Sequence, residues 1–413
     1  MEDYFPLFEK LWRELREFTE SPGSEAANRV AFTYSDHASR RWLRDIWNQM
    51  GLKTDIDGVG NLVGISGSPP YVLLSSHTDT VPQGGHFDGI LGVLAATVVA
   101  AHWTESPGLL LVDWSSEESS RFGISTFGSR LAVGEDRPHY WDTTDGRGRR
   151  LADVVASTYG YPKKPTLQLH DYQILAALEL HIEQGTELYE AGVPMGVVTA
   201  IAAPQRWQVS LTGQANHSAG TPMARRHDAL AAMAEVIAAV ERMSQEREDA
   251  GLRTTITQIS ASPGAPNVIA GECRATIDVR VQSGRLLKQY RSDLNEVLKN
   301  ISERRGVQAS LGQISGEEPG ALDSRLVALL SQTLTEAGIP HQPILSWPSH
   351  DSLPLSRHLP TAMLFVRNPS GISHNGAEFI GHDDVRIALD AYYHAVRAIH
   401  RQFQGGDSHV ATE

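Results

Sequence analysis

Cysteine is almost missing from this chain: Cys273 stands alone among 413 residues, so no internal disulfide can form. Secreted domains commonly lean on such bridges, and a lone thiol points to a cytoplasmic setting. Long basic runs are missing too. The formal net charge is -13, from 36 Lys+Arg against 49 Asp+Glu, which argues against nucleic acid as a partner and reads as a solubility feature. No apolar stretch reaches the ~20 residues needed to span a bilayer. The longest, residues 90–101, is broken by Gly92 and Thr97, so no membrane partner is expected. The acidic start, Met1-Glu2-Asp3, lacks a signal-peptide pattern.

What is present is the composition of a folded protein, with 41% hydrophobic and 21% charged residues. The length suggests roughly two domains at about 150 residues each. Helical spacing of apolar residues runs through residues 4–18 (Phe8, Leu11, Leu15) and again through 41–50. Turn residues at 57–62 predict a hairpin, and their glycines do not complete a dinucleotide fingerprint. Residues 71–74, 109–112 and 362–366 read as buried strands of an α/β sheet, while 176–182 fits strand or helix. Between residues 207 and 318 the pattern runs β-α-β-β-α-β, with helices over 228–242 and 286–301, which suits an inserted α+β sandwich. The predicted fold class is thus α/β with a mostly parallel central sheet. Residues 1–206 and 319–413 would form one domain and 207–318 the inserted one. The tail from Gly405 is expected to be unstructured.

The unusual residues cluster after the apolar strands, where open α/β sheets bind ligands. Ser76-His77-Thr78-Asp79 follows the first strand, and Gly84-Gly85-His86-Phe87-Asp88-Gly89 soon after forms a glycine-rich turn. Ser115-Ser116-Glu117-Glu118 follows the second. His181-Ile182-Glu183-Gln184-Gly185 and Ser373-His374-Asn375 follow two more apolar runs. A lone histidine at a strand end is ordinarily a hydrogen-bonded structural residue, and an isolated Glu-Glu is ordinarily a solvated loop. Taken together, His77, Asp88, Glu118, His181 and His374 make a mixed imidazole and carboxylate set suited to two divalent first-row ions, such as zinc, manganese or cobalt. Adjacent buried carboxylates repel, so one natural arrangement has one ligating metal while the other takes a proton. Asp79, two residues from His77, is placed to orient its ring.

These segments resemble the amidases of hydantoinase/carbamoylase type, a branch of the di-metal peptidase and aminoacylase superfamily. The likeness continues through Glu117-Glu118-x-x-Arg121-Phe122, Gln205-Arg206-Trp207, Gly213-x-Ala215-Asn216-His217, Thr221-Pro222-Met223, Pro266-Asn267, Asp278-x-Arg280, His350-Asp351 and Ser373-His374-Asn375-x-Ala377-Glu378, in order along nearly the whole chain. The resemblance implies one metal on His77 and His181, another on Glu118 and His374, and Asp88 bridging. It implies Glu117 as general base and His217, on the inserted lid and dimerisation domain, as an oxyanion stabiliser reaching across a homodimer. Arg280 is the expected clamp for a substrate carboxylate, because a guanidinium matches it in a two-pronged fork. Asn267 and Gln184 are secondary substrate contacts. Alternation over residues 274–280 sets Arg280 opposite Ala275, Ile277 and Val279, and sends Cys273 to the apolar face as packing.

Some positions depart from the family pattern. Ser119 stands where Gly is common, Ser218-Ala219-Gly220 reorders the small residues after Asn216-His217, and Trp347-Pro348-Ser349 replaces a glycine-rich stretch. Gly376 replaces a common Pro. None is a proposed ligand, but the bulkier Trp347-Pro348 bears on the substrate pocket. The expected activity is hydrolysis of a small carboxylate-bearing ureido compound, such as an N-carbamoyl-L-amino acid or allantoate. The alternatives are an N-acyl amino acid deacylase, dipeptidase or other amidase, and a non-catalytic metal-binding protein, against which the intact Glu117 argues.

Overall fold

The computed structural model describes residues 3–105 and 108–404. The tail from Gly405, expected to be unstructured, lies outside them. From the N-terminus run α1 (Phe5–Arg16), α2 (Tyr34–Gln49), β1 (Lys53–Ile56), β2 (Leu62–Ser66), β3 (Tyr71–His77), α3 (Ile90–His102), β4 (Gly108–Trp114), α4 (Phe127–Ala132), α5 (Leu151–Thr158), β5 (Ile174–Ile182), α6 (Glu187–Glu190) and β6 (Met195–Ile201). A second group follows: β7 (Ala203–Thr212), β8 (Asn216–His217), α7 (Ala229–Gln245), β9 (Leu252–Ser262), β10 (Val268–Ile269), β11 (Glu272–Val281), α8 (Gly284–Arg305), β12 (Gln308–Gly316) and β13 (Gly320–Ala321). The chain ends with α9 (Ser324–Glu336), β14 (His341–Ser346), α10 (Ser352–Leu355), β15 (Thr361–Val366) and α11 (His382–Gln404).

Two units result. One holds the described residues up to Thr199, Leu322–Ser346 and those from His350 on; the other holds Ala200–Ala321 and Trp347–Ser349. The expected borders placed the insertion at 207–318 and left 347–349 in the larger domain.

In the first unit, β4-β3-β5-β15 lie side by side and parallel, flanked by antiparallel β2 on one edge, which pairs in turn with an antiparallel β1, and by antiparallel β6 on the other. Residues 176–182 are therefore strand. Their period-2 alternation feeds two apolar layers. Val72, Leu74, Leu109, Leu111, Leu178, Leu180 and Leu364 share a core with α1, α3 and α11. Leu73, Leu110, Val112 and Ala177 enter the core on the other face. The long apolar stretch is α3, buried from Ile90 to Ala100. No helix among the described residues is long and apolar enough to cross a membrane.

Helix α2 begins earlier than its apolar spacing predicts. Thr33 caps it by accepting from Asp36 N, and its first turns bury Asp36, Ser39 and Arg40 before Leu43 and Trp47. Polar residues on the inward face hid that half of the helix from a hydrophobic reading.

The second unit is a four-stranded antiparallel sheet, β12-β7-β11-β9, with α7 and α8 packed on one face. Asp228 caps α7 through Leu230 N and Ala231 N at 3.0 and 3.1 Å, and Gly306, at φ 63, ends α8. Cys273, Ala275, Ile277 and Val279 face the helices and are buried, as the alternation predicts, so the thiol is packing.

Candidate active site

The four parallel strands bring their carboxyl ends together, and each delivers one segment of the expected constellation. His77 ends β3, His181 lies near the end of β5, Glu117 and Glu118 follow β4, and His374 follows β15. Asp88 comes from the turn before α3. Besides a group made of Glu179, His181 and His350, the expected residues form two groups of ligand atoms, each within 4.8 Å: His77, Asp88 and His181; and Asp88, Glu118 and His374. Asp88 belongs to both. Its Oδ1 is 3.0 Å from His181 Nε2, and its Oδ2 is 3.0 Å from His374 Nε2, which is 3.1 Å from Glu118 Oε1.

The backbone is shaped for this approach. Gly89 has φ 67, and a Cβ there would overlap the His77 ring. Ser116 and His374 both sit in the left-handed region, at φ 54 and 56, a conformation that costs a non-glycine residue about 1–3 kcal/mol and is typical of functional loops.

Electrostatics show what the residues lack. Burial lowers the His77 imidazole to about 3. Burial also opposes the charge on His181, yet the hydrogen bond and charge of Asp88 raise it to about 9. Hydrogen bonds to Asp88 and Glu118 raise His374 to about 11. Glu117 is pushed well above the ordinary carboxylate range, first by burial and then by Glu118, Asp351, Asp79 and Asp88. Buried carboxylates therefore hold protons on neighbouring imidazoles where no other positive charge is at hand. Divalent cations would fill that demand, and neutral imidazole with carboxylate is a fitting donor set.

Asp79 does more than face His77. Its backbone oxygen lies 3.0 Å from His77 Nδ1, while its carboxylate is 3.8 Å away. The carboxylate instead accepts from Glu117 N and Glu118 N, each at 3.2 Å. Behind it, Arg40 reaches Asp36 at 3.0 Å, Asp113 at 2.9 Å and Asp79 at 3.8 Å, all with fully buried side chains. Glu117 Oε2 is 3.8 Å from His77 Nε2. Gln184, expected as a substrate contact, donates to Asp88 Oδ2 at 3.0 Å and lies near Ser373 and His374. Its Oε1 is buried without a partner among the described residues.

His217, Asn267 and Arg280 lie in the second unit. The amides of Ala219 and Gly220 donate to His217 Nδ1 at 3.2 and 3.1 Å, so a neutral ring carries its hydrogen on Nε2. The reordered Ser218-Ala219-Gly220 thus still sets the tautomer. Strand β8 pairs with β10, and Asn267 O accepts from Ser218 N at 2.9 Å, which places Asn267 beside His217. Arg280 is half-buried on the face opposite the helices and pairs with Asp278 at 3.1 Å. Trp347 lies under the Arg253 guanidinium, 3.9 Å from its ring centre. Gly376 runs against Ala26, where a Cβ would come within 2.8 Å of the alanine methyl, so the space a proline ring would use is closed. Ser119 is exposed.

Sequence reasoning gave no role to Arg40, Glu179, His350 or Asp351, which underlie the site. Glu179 accepts from Ser76 Oγ at 3.1 Å and Ser352 Oγ at 2.6 Å, and the His350 ring lies 4.4 Å from that of His181. The one available signal was a charged residue inside an apolar run, as at Glu179 and Asp113.

Residues 73–398 match the sequence profile of Peptidase family M20/M25/M40. The chain is 34% identical over 354 residues to an allantoate amidohydrolase of Bacillus subtilis, covering 83% of this chain and 85% of that one. It is 30% identical over 400 residues to an N-carbamoyl-L-amino acid amidohydrolase of Geobacillus stearothermophilus, covering 94% and 97%. A solved amidase of the hydantoinase/carbamoylase family from Burkholderia multivorans superposes with a TM-score of 0.84 at 28% identity, over 94% of this chain and 97% of that one. The family resemblance and the α/β fold class expected from the sequence are borne out.

Proposed function

The chain belongs to Peptidase family M20/M25/M40, and on that footing we propose that it is a two-metal amidohydrolase cleaving a non-peptide C–N bond in a small carboxylate-bearing ureido acid. An N-carbamoyl-L-amino acid or allantoate is the favoured substrate, in keeping with the similar proteins from Bacillus and Geobacillus. The observation that carries the reading is Asp88, whose two oxygens each lie 3.0 Å from a different histidine, His181 and His374.

Two divalent ions such as zinc, manganese or cobalt, held by His77 and His181 on one side and Glu118 and His374 on the other with Asp88 between, would supply Lewis acidity and an acidified water. Glu117 takes the proton of the attacking water and hands it to the leaving nitrogen. Asp79 holds the Glu117-Glu118 backbone in register for that transfer. His217 donates from Nε2 to the developing oxyanion. Arg280 clamps the substrate carboxylate, exchanging Asp278 for it, with Asn267 alongside. Gln184 Oε1 is a free acceptor for a ureido N–H.

The homodimer reading is supported by β9, an edge strand whose residues 257–262 are exposed and include Ile259 at 51%. Such an edge suits strand-to-strand pairing with a second copy. The cytoplasmic setting rests on the single cysteine.

The test is metal-dependent ammonia release. Protein purified without chelator is supplied with manganese, zinc or cobalt and offered N-carbamoyl amino acids, ureidopropionate, allantoate and N-acyl amino acids. Ammonia from one ureido substrate supports the proposal. Release of an acid without ammonia moves the chain to the deacylase or dipeptidase alternative.

A further inference from the structure

One residue of the closing sequence motif, Glu378, has no part in the chemistry above, yet it is 6% exposed and sits against the same carboxylate that joins the two ligand groups. Its Oε1 accepts from Phe87 N at 2.7 Å and from Asp88 N at 3.1 Å. Its Oε2 lies 3.2 Å from Ser373 Oγ, and that hydroxyl lies 3.1 Å from Asp88 Oδ2. Glu378 therefore grips Asp88 twice, at its backbone and, through Ser373, at its carboxylate. The grip joins loops that are far apart in the chain: one carries Asp88, the other His374.

A second observation concerns the space Glu378 occupies. A Cβ at Gly85 would overlap all three terminal atoms of the Glu378 carboxyl group. Gly85 does not have a positive φ, so the turn itself does not require glycine there. The missing side chain is clearance for the carboxylate. Gly85 and Glu378, separated by most of the sequence, are two halves of one fitting.

We propose that Glu378 is a positioning residue for the metal centre: seated in the space left by Gly85, it locks the bridging carboxylate of Asp88 to the loop that carries His374. The inference rests on the two-metal reading given above. Its action is geometric. The backbone amides need an acceptor at the Oε1 position, and Ser373 Oγ needs a hydrogen-bonding partner at the other. A glutamine can supply both, an alanine neither.

The experiment is calorimetric titration of manganese into chelator-stripped protein, with the melting temperature of each stripped variant measured alongside. Outer residues that orient metal ligands typically change affinity by about 10–100-fold. Glu378→Ala and Gly85→Ala are each expected to weaken manganese binding within that range, while Glu378→Gln recovers most of the loss and the stripped melting temperatures stay close to wild type. Wild-type affinity in Glu378→Ala would overturn the inference. So would a Glu378→Gln protein as weak as Glu378→Ala, since charge and not geometry would then be at work. Should Glu378→Ala fail to fold, Gly85→Ala against Glu378→Gln gives the same comparison. A wild-type protein that binds no manganese, zinc or cobalt would instead overturn the two-metal reading itself.

Discussion

Glu117 is the proposed general base, and its surroundings separate two jobs often confounded in mutants. Its carboxylate lies 3.8 Å from His77 Nε2, while its backbone amide is held by Asp79 at 3.2 Å. Exchanging the side chain for an amide leaves that anchoring, and the ligand set, in place. Glu117→Gln is therefore expected to bind two equivalents of metal while turnover falls by about 10²–10⁴, the usual scale of a lost proton-transfer group. Metal content by atomic absorption and ammonia release on the same sample check this; near-full turnover would remove Glu117 from the proposed role. The histidines and the glutamate pair were legible because each ends or follows an apolar run, where a polar residue has no packing reason to be, and Asp88 because it sits in a glycine-rich turn that opens one. Arg40 and Glu378 were not. Arg40 lies in a helix whose apolar spacing starts only after it, and Glu378 acts on backbone amides nearly three hundred positions away, a relation that no local pattern encodes.

Elements were legible to the extent that one physical signal dominated them. Buried parallel strands are continuous apolar runs, so β3, β4 and β15 stood out, and β5 was ambiguous only because its run contains alanines and Glu179. Strands β6 and β14 passed unrecognised: β6 has exposed Thr199, and β14 has exposed Pro343. Close packing between elements has its own signature in Gly92. A Cβ there would overlap Leu180 O of β5 and crowd Ser76 of β3. Alanine ordinarily gains about 1 kcal/mol over glycine inside a helix, but overpacking of a tight contact costs about 1–3 kcal/mol. Gly92→Ala is expected to lower the urea midpoint; a raised midpoint would show that α3 can retreat from the sheet.

A second element-scale contact is Glu135, just beyond α4. It pairs with Arg130 at 2.9 Å and with Arg357, after α10, at 2.9 Å. Partial burial works against its charge, yet the Arg357 hydrogen bond and the two arginines hold it below the ordinary 4.5. The depressed value means that its stabilising contribution is complete above pH 4.5 and drains away as pH falls through the folded-state value. The melting-temperature gap between wild type and Glu135→Gln should therefore be constant near neutrality and close below pH 4.5. A gap that widens on acidification would reverse the assignment.

For the whole molecule, patterning gave the inserted unit as one continuous piece because its strands and helices pair locally. It missed the grouping of Trp347–Ser349 with that unit, since no run of three residues carries a signal of tertiary placement. Pairing of two copies along β9 is testable at this scale. Ile259→Lys puts a charge on the exposed edge, and sedimentation velocity should show a dimer giving way to monomer, with turnover falling in step if His217 acts on the partner's substrate. A variant that stays dimeric would place the interface elsewhere.

The parallel pairing of β5 with β15 also sets an order of assembly during translation. On the ribosome, β5 emerges and can pair with β3, but its other edge stays open until Thr361–Val366 has been made. In the meantime the continuous part of the second unit, Ala200–Ala321, has left the exit tunnel with every strand partner its four-stranded sheet needs. Nascent chains stalled before Thr361 should then yield a protease-resistant fragment from the inserted unit alone, while the segment holding His77 and His181 is still cut; resistance of both would mean that the sheet closes without β15. The part of the polypeptide that starts first is thus the part that finishes last, and a growing chain carries every proposed ligand but His374, with an unpaired strand edge, from Ile182 until Thr361 is made.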